Sequence, residues 1–192
     1  MEIRRQGAGE RSAVREVVVA AFERVAVADL TEALQDGSAG AAGLSFVAER
    51  DGRIVGHVLL SRSWLDAPQR LVEVLVLSPL SVDPAYQGQG IGSALVRHAL
   101  VQAREHGAPL LFLEGSPAYY GRFGFEAATP LGFTAPSVRI PEPGFQVVVL
   151  DSHEPWMTGA LVYAEPFWVY DCVGLRAPDQ LEDPFQGRRE CR

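Results

Sequence analysis

The sequence predicts a single α/β domain in which strands alternate with helices. Three observations carry that reading. An apolar strand, Leu75 to Leu80, runs through a glycine-rich turn straight into a helix. A second apolar run, Leu110 to Glu114, follows that helix. Upstream, two strand-like runs flank Asp51-Gly52, a dipeptide suited to the tight turn of a hairpin.

In chain order, Met1 to Arg5 reads as a first strand. From Gly9 to Ala21, residues Ala13, Val14, Val17, Val18 and Ala21 share one helical face. Asp29 to Leu34 continues as a short second helix, and Asp36 to Gly40 is a loop of small residues. Leu44 to Glu49 and Arg53 to Ser61 form the hairpin. Leu71 to Val82 is a long central strand, interrupted at Ser78-Pro79, where a proline implies a bulge or splaying. Ala94, Leu95, Val96, Ala99, Leu100 and Ala103 recur with helical spacing. Beyond Phe125, Phe145 to Leu150 and Gly159 to Ala164 read as two strands paired with each other. A Pro- and Gly-rich loop, Leu131 to Pro143, precedes them. The domain is expected over 1–170, with 171–192 as a C-terminal tail of mixed charge, Pro and Gly.

Composition bounds the function classes. With 47% hydrophobic and 21% charged residues over 192 positions, the chain can bury a sizeable core. No run is long enough to span a membrane, and Met1 to Arg5 lacks an apolar signal region, so no membrane partner and a cytoplasmic location are expected. A net charge of -7 argues against nucleic acid, since no basic stripe is available to displace counterions. Cys172 and Cys191 are the only cysteines, a pair expected to stay reduced in such a compartment.

The chemistry begins at Gln87-Gly88-Gln89-Gly90-Ile91-Gly92-Ser93. Unpaired N–H groups and the positive end of a helix dipole favour an anion there, and glycine lets a phosphate approach the main chain. A nucleoside-triphosphate loop needs Gly-Lys-Ser/Thr, but Ser93 follows Gly92 directly. A dinucleotide loop needs G-x-G-x-x-G, but the third glycine, Gly92, arrives one residue early. The alternative without a ligand is an ordinary strand-to-helix turn.

The same heptapeptide resembles the Q/R-x-x-G-x-G/A loop of the GNAT superfamily of acetyl-CoA-dependent acetyltransferases. Pro117-Ala118-Tyr119-Tyr120-Gly121-Arg122-Phe123-Gly124-Phe125 is similar to that family's second signature, Tyr-x-x-x-Gly-Phe after a strand and short helix. The resemblance covers Met1 to about Phe125. It implies a mixed, mostly antiparallel central sheet flanked by helices, with splayed central strands forming the acetyl-CoA cleft. It also implies acetyl-CoA as co-substrate and no metal. Cofactor-binding residues would be Leu80 and Val82 through their main chains, the loop residues Gln87, Gly88, Gln89, Gly90, Ile91, Gly92 and Ser93, and Tyr120 and Phe123.

Tyr120 holds the position of the family's thiolate-protonating tyrosine, though an aromatic residue beside Tyr119, Phe123 and Phe125 can equally be core. A general base is needed to deprotonate an amine, and Glu114 and Glu73 are carboxylates within apolar runs; either can instead be a solvated strand residue. His57 is a further candidate, and Trp156 and Trp168 are candidate acceptor-pocket walls. The expected partner is a small-molecule or peptide amine acceptor, and the sequence leaves a homodimer open. Two rivals stand beside the enzyme: a non-catalytic acyl-CoA-binding sensor or interaction module on the same fold, and an unrelated phosphate-ester binder.

Overall fold

The computed structural model describes residues 1–37 and 40–174. Strand β1 (Glu2–Arg5) is followed by helices α1 (Arg11–Phe22) and α2 (Val25–Asp36), then by β2 (Gly40–Arg50), β3 (Arg53–Asp66) and β4 (Leu71–Val82). Helix α3 (Ile91–Glu105), β5 (Leu110–Glu114) and the one-turn α4 (Pro117–Tyr120) come next. The chain then forms β6 (Glu126–Ala127), β7 (Phe133–Thr134), β8 (Phe145–Val149), β9 (Gly159–Val162) and α5 (Glu165–Val169).

The strands form one sheet in the order β1-β2-β3-β4-β5-β8-β6, with β9 paired to the far end of β3 and β7 paired to β9. All pairs on the main path but one are antiparallel. The exception is β4 with β5, parallel because α3 carries the chain back across the sheet between them. Helix α3 covers one face, where Leu95, Val96 and Ala99 pack on Phe46, Val58 and Leu75. On the opposite face α2 and α5 bring Leu30, Leu34 and Phe167 onto Leu59, Val76 and Phe112.

Two features open the centre of this sheet. In the β3–β4 ladder the register steps from Val58↔Leu80 to Leu60↔Leu77, so Ser78 and Pro79 together face Leu59. That is a bulge in β4, at the place where the proline led the sequence to expect one. The β4–β5 ladder holds Leu75↔Leu111 and Val76↔Phe112. Past Val76 the two strands part.

Some expectations need correction. β8 and β9 do not pair with each other: β8 lies between β5 and β6, and β9 pairs with β3 and β7. Both are short apolar strands, and period-2 patterning carries no information about which neighbour each will take. Helix α2 begins at Val25, four residues before the expected Asp29, and Thr31 inside it satisfies its hydroxyl on the Val27 carbonyl at 2.7 Å. Of the expected tail, residues 171–174 are described. Val173 is fully buried, and Asp171 pairs with Arg139 at 2.8 Å. The rest of the expected tail, Cys191 included, lies outside the described residues from 175 onward.

Phe112 stacks on Phe145 (ring centroids 5.6 Å apart) and meets Phe133 edge-on at 5.2 Å, tying β5 to β8 and β7. Phe112→Ala is expected to cost about 3–5 kcal/mol of unfolding free energy. Urea titration followed by fluorescence checks this, and a loss below about 1 kcal/mol would contradict a close-packed junction there.

Candidate active site

Where β4 ends, Asp83 caps the short turn through Pro84–Tyr86 by accepting from the Ala85 N–H at 2.9 Å. Gln87 then folds back, its Nε2 donating to the Val82 carbonyl at 3.0 Å. These two bonds fix the loop so that it delivers Gly90 to the N-cap of α3. Gly90 has φ +83°, a left-handed conformation that side chains resist, and no atom of the protein stands within 4 Å of where its Cβ would be. No side chain caps the first turn of α3. Its leading N–H groups and the positive end of its dipole therefore face open space.

That space is a cavity of about 520 Å³. Of the residues expected at a cofactor, Leu80 and Val82 form its β4 side, and Gln87, Gly88, Gly90, Ile91, Gly92 and Ser93 its loop and helix side. Three others fall elsewhere: Tyr120, which lines the second cavity described below, Gln89 and Phe123. Gln89 turns away, its Oε1 accepting from Arg50 Nη1 at 2.6 Å. Phe123 packs against the α3-side core and lies under the Arg122 guanidinium, 4.9 Å from the ring centroid, so it supports the wall without forming it.

Tyr119 and Arg122, which the sequence reading did not place at a cofactor, also line this cavity. Arg122 stacks on the Tyr119 ring at 4.3 Å and donates from Nη2 to Ser93 Oγ at 3.1 Å. A cation is thus held beside the helix N-terminus, where an anion would sit. Tyr119 and Tyr120 are consecutive on α4, so their side chains leave the helix about 100° apart, set by 3.6 residues per turn. One faces the first cavity and the other a second. The family signature marked only Tyr120, and nothing in local spacing marks the residues beside it.

The second cavity, about 310 Å³, shares Phe22 and Leu80 with the first and continues along Val76 to Pro79 of β4. Tyr120, Glu114, Tyr163, Phe167 and Cys172 line it. Tyr120 is wedged against Gly115, where a Cβ would collide with its ring. Burial, and then the neighbouring Tyr119, push its hydroxyl up to about 12. Glu114, at the end of β5, accepts from the Tyr163 hydroxyl at 2.8 Å and from the Gly174 N–H at 3.0 Å. Burial raises its carboxyl above the ordinary carboxylate range, while the two hydrogen bonds and the charge of Arg139 hold the rise back.

The other candidate bases are placed differently. Glu73 stands at the opposite end of β4, exposed, 3.5 Å from Arg62 and 3.9 Å from His106, and lines neither cavity. It belongs to the outward-facing set of an alternating strand segment. His57 is fully buried, with Nε2 2.9 Å from Ser45 Oγ, and burial lowers its pKa to about 3. Trp156 bonds Glu154 at 3.0 Å and Trp168 is 43% exposed; neither forms a wall of the two cavities. Among the described residues no group of three or more His, Cys, Asp or Glu side chains is arranged to hold a metal ion. No helix among them is long and apolar enough to cross a membrane.

Residues 11–125 match the Acetyltransferase (GNAT) family. The chain belongs to that family. It is 33% identical over 172 residues to the uncharacterized N-acetyltransferase YjhQ of Escherichia coli K12, covering 89% of this chain and 90% of that protein. It is similar to the crystal structure of the GNAT N-acetyltransferase YhbS from Escherichia coli in complex with CoA. There the TM-score is 0.76 and the identity 29%, over 86% of this chain and 91% of the other. A GNAT-family acetyltransferase from Brucella melitensis in complex with acetyl-CoA is likewise similar, with a TM-score of 0.70 and 31% identity over 86% and 97% of the two chains. The protein is an acetyl-CoA-dependent N-acetyltransferase. Its own residues fit that co-substrate, since the open space beside Gly90, the uncapped helix start and Arg122 together provide donors and positive charge for phosphate groups.

Gly90→Glu places a side chain on a left-handed residue and a carboxylate among these donors. It is expected to weaken acetyl-CoA binding by about a hundredfold or more. Arg122→Gln is expected to weaken it about tenfold, the scale of one charge-assisted hydrogen-bonding group. Titration calorimetry with acetyl-CoA checks both, and wild-type affinity in either variant would remove that residue from the site.

Proposed function

We propose that the acceptor is a primary amine of small-molecule or peptide size, and that it attacks the acetyl group directly in a ternary complex. The observation that carries this reading is the common wall of the two cavities. Phe22 and Leu80 border both, so a donor held at the α3 N-terminus and an acceptor held beside Glu114 meet across the gap between β4 and β5. A direct reaction needs such adjacency, and bringing two reactants into one frame accounts for much of the rate. Cys172, the cysteine among the described residues, lines the acceptor side, but burial raises its thiol pKa and leaves it a poor nucleophile at neutral pH.

Glu114 serves as general base. A carboxylate whose pKa is raised by burial, with its two oxygens oriented by Tyr163 and Gly174, accepts a proton from an ammonium group better than an exposed one does. Tyr120 serves as general acid, since a hydroxyl held near 12 stays protonated until a departing thiolate needs its proton. As the N–C bond forms and the C–S bond breaks, the ammonium gives up two protons. One is balanced by the proton Tyr120 passes to sulfur, and the other leaves through Glu114 to solvent. Tyr163 is a positioning residue, acting on the reaction through Glu114.

Tyr120→Phe is expected to lower kcat by about 10²- to 10⁴-fold with acetyl-CoA affinity within about twofold of wild type. Release of free CoA and calorimetry measure the two quantities, and unchanged turnover would exclude Tyr120 as the acid. The pH dependence follows from Glu114. The base works when ionised, so the rate rises as pH passes a pKa lying above the ordinary 4.5. The Tyr163 hydroxyl lowers that pKa, so Tyr163→Phe is expected to move the acid limb of the kcat profile to higher pH. A limb that stays in place would separate Glu114 from the rate.

A further inference from the structure

The lining of the acceptor cavity includes one acidic and one basic residue. Deep in it is the Glu114 carboxylate, already oriented by two donors. At the start of α2 is Arg24, which lines the same cavity and forms no ion pair among the described residues. Cys172 lines the cavity with both of them; burial raises its thiol pKa, the charge of Arg24 lowers it, and those of Asp171, Glu114 and Asp29 raise it. Val27, Leu30 and Phe167 add apolar surface to the same lining.

Among the described residues this lack of an ion pair sets Arg24 apart from its neighbours. The other arginines of the two first helices, Arg11 and Arg15, are each committed to carboxylates on α2. A guanidinium presents a planar fork that matches a carboxylate with two parallel hydrogen bonds. A cavity of about 310 Å³ is at the lower end of the range for small-molecule sites, which suits a molecule of amino-acid size and no large polymer.

We propose that the acceptor is a small amine bearing its own carboxylate, with the amine directed to Glu114, the carboxylate to Arg24 and an apolar side chain against Val27, Leu30 and Phe167. Apolar α-amino acids and short peptides ending in such residues have this chemistry. The proposal rests on the reading of the second cavity as the acceptor site. It adds a charge requirement that an amine acetyltransferase as such does not have.

The test uses the full chain and three matched amines: leucine, leucinamide and isoamylamine, with phenylalanine, phenylalaninamide and phenethylamine as a second set. CoA release is followed with each, and binding of each amine is measured by calorimetry at saturating CoA. The carboxylate-bearing member is expected to exceed its amide about tenfold in kcat/KM and in affinity, the scale of one charge-assisted contact. In Arg24→Gln that ratio should fall to about one, and in Arg24→Lys part of it should return. Thermal melting within a few degrees of wild type establishes that the exposed substitution leaves the fold intact.

Equal handling of acid and amide by the wild type, or an unchanged ratio in Arg24→Gln, overturns the carboxylate assignment while leaving amine acetylation standing. Selective binding of the acids without acetylation of any amine retains the assignment and overturns the catalytic reading. Binding of none of the six overturns the assignment.

Discussion

The parting of β4 from β5 is the constraint on which the rest of the site depends. Adjacent strands in a sheet normally satisfy each other's backbone groups along their whole length, and groups left over must find other partners. Here the parallel ladder holds at Leu75 and Val76, and the bulge at Ser78-Pro79 turns the continuation of β4 away. A gap through the middle of a sheet is costly unless something occupies it. Tyr120 and Glu114 border it from the β5 side, and Leu80 and Val82 from the β4 side. The remaining space forms the two cavities.

Everything that gives the donor side its chemistry follows from how β4 leaves this gap. Because the strand ends at Val82 and the Asp83 and Gln87 bonds fold the next five residues tightly, α3 starts at the mouth of the gap with its N–H groups aimed into it. The pairing of β5 beside β4 requires the intervening helix to cross the sheet, and α3 does so while burying Leu95, Val96 and Ala99. One helix therefore closes the core on its apolar face and presents a phosphate site at its end. Arg122 reaches that end only because α4 follows β5 without a long connection, which puts Tyr119 and its stacked guanidinium opposite Ser93.

This arrangement explains which parts were legible in the sequence. The glycine loop and the proline bulge are local features, where a few adjacent residues fix the backbone, and each could be read in place. The partners of β8 and β9 are strands distant in the sequence. Their alternation is satisfied by several neighbours, and they were legible as strands but not as a pairing. Glu73 and Glu114 look alike in sequence, each a carboxylate within an apolar run. What separates them is that Glu114 ends a central strand beneath Tyr163 and Gly174, whereas Glu73 points outward to Arg62. Tyr119 and Tyr120 differ only by one helical step of rotation, and a pattern of residue types does not carry that rotation until the helix is placed against β5.

The two cavities also draw on different parts of the chain. The donor cavity is built wholly from residues between Ala21 and Arg122, inside the stretch 11–125 that matches the family. The second cavity, proposed for the acceptor, takes Tyr163, Phe167, Cys172 and Gly174 from beyond it, and Tyr163 and Gly174 also orient Glu114. Tyr163, Phe167, Cys172 and Gly174 are absent from the lining of the first cavity. They can alter the size and charge of the acceptor space and, through Tyr163, the proton affinity of Glu114. A fixed donor side joined to a separately built acceptor side is a physical route by which one sheet geometry serves different amines. In this chain the apolar surface of α5, the Glu114 carboxylate and the Arg24 guanidinium are the elements that would set the choice.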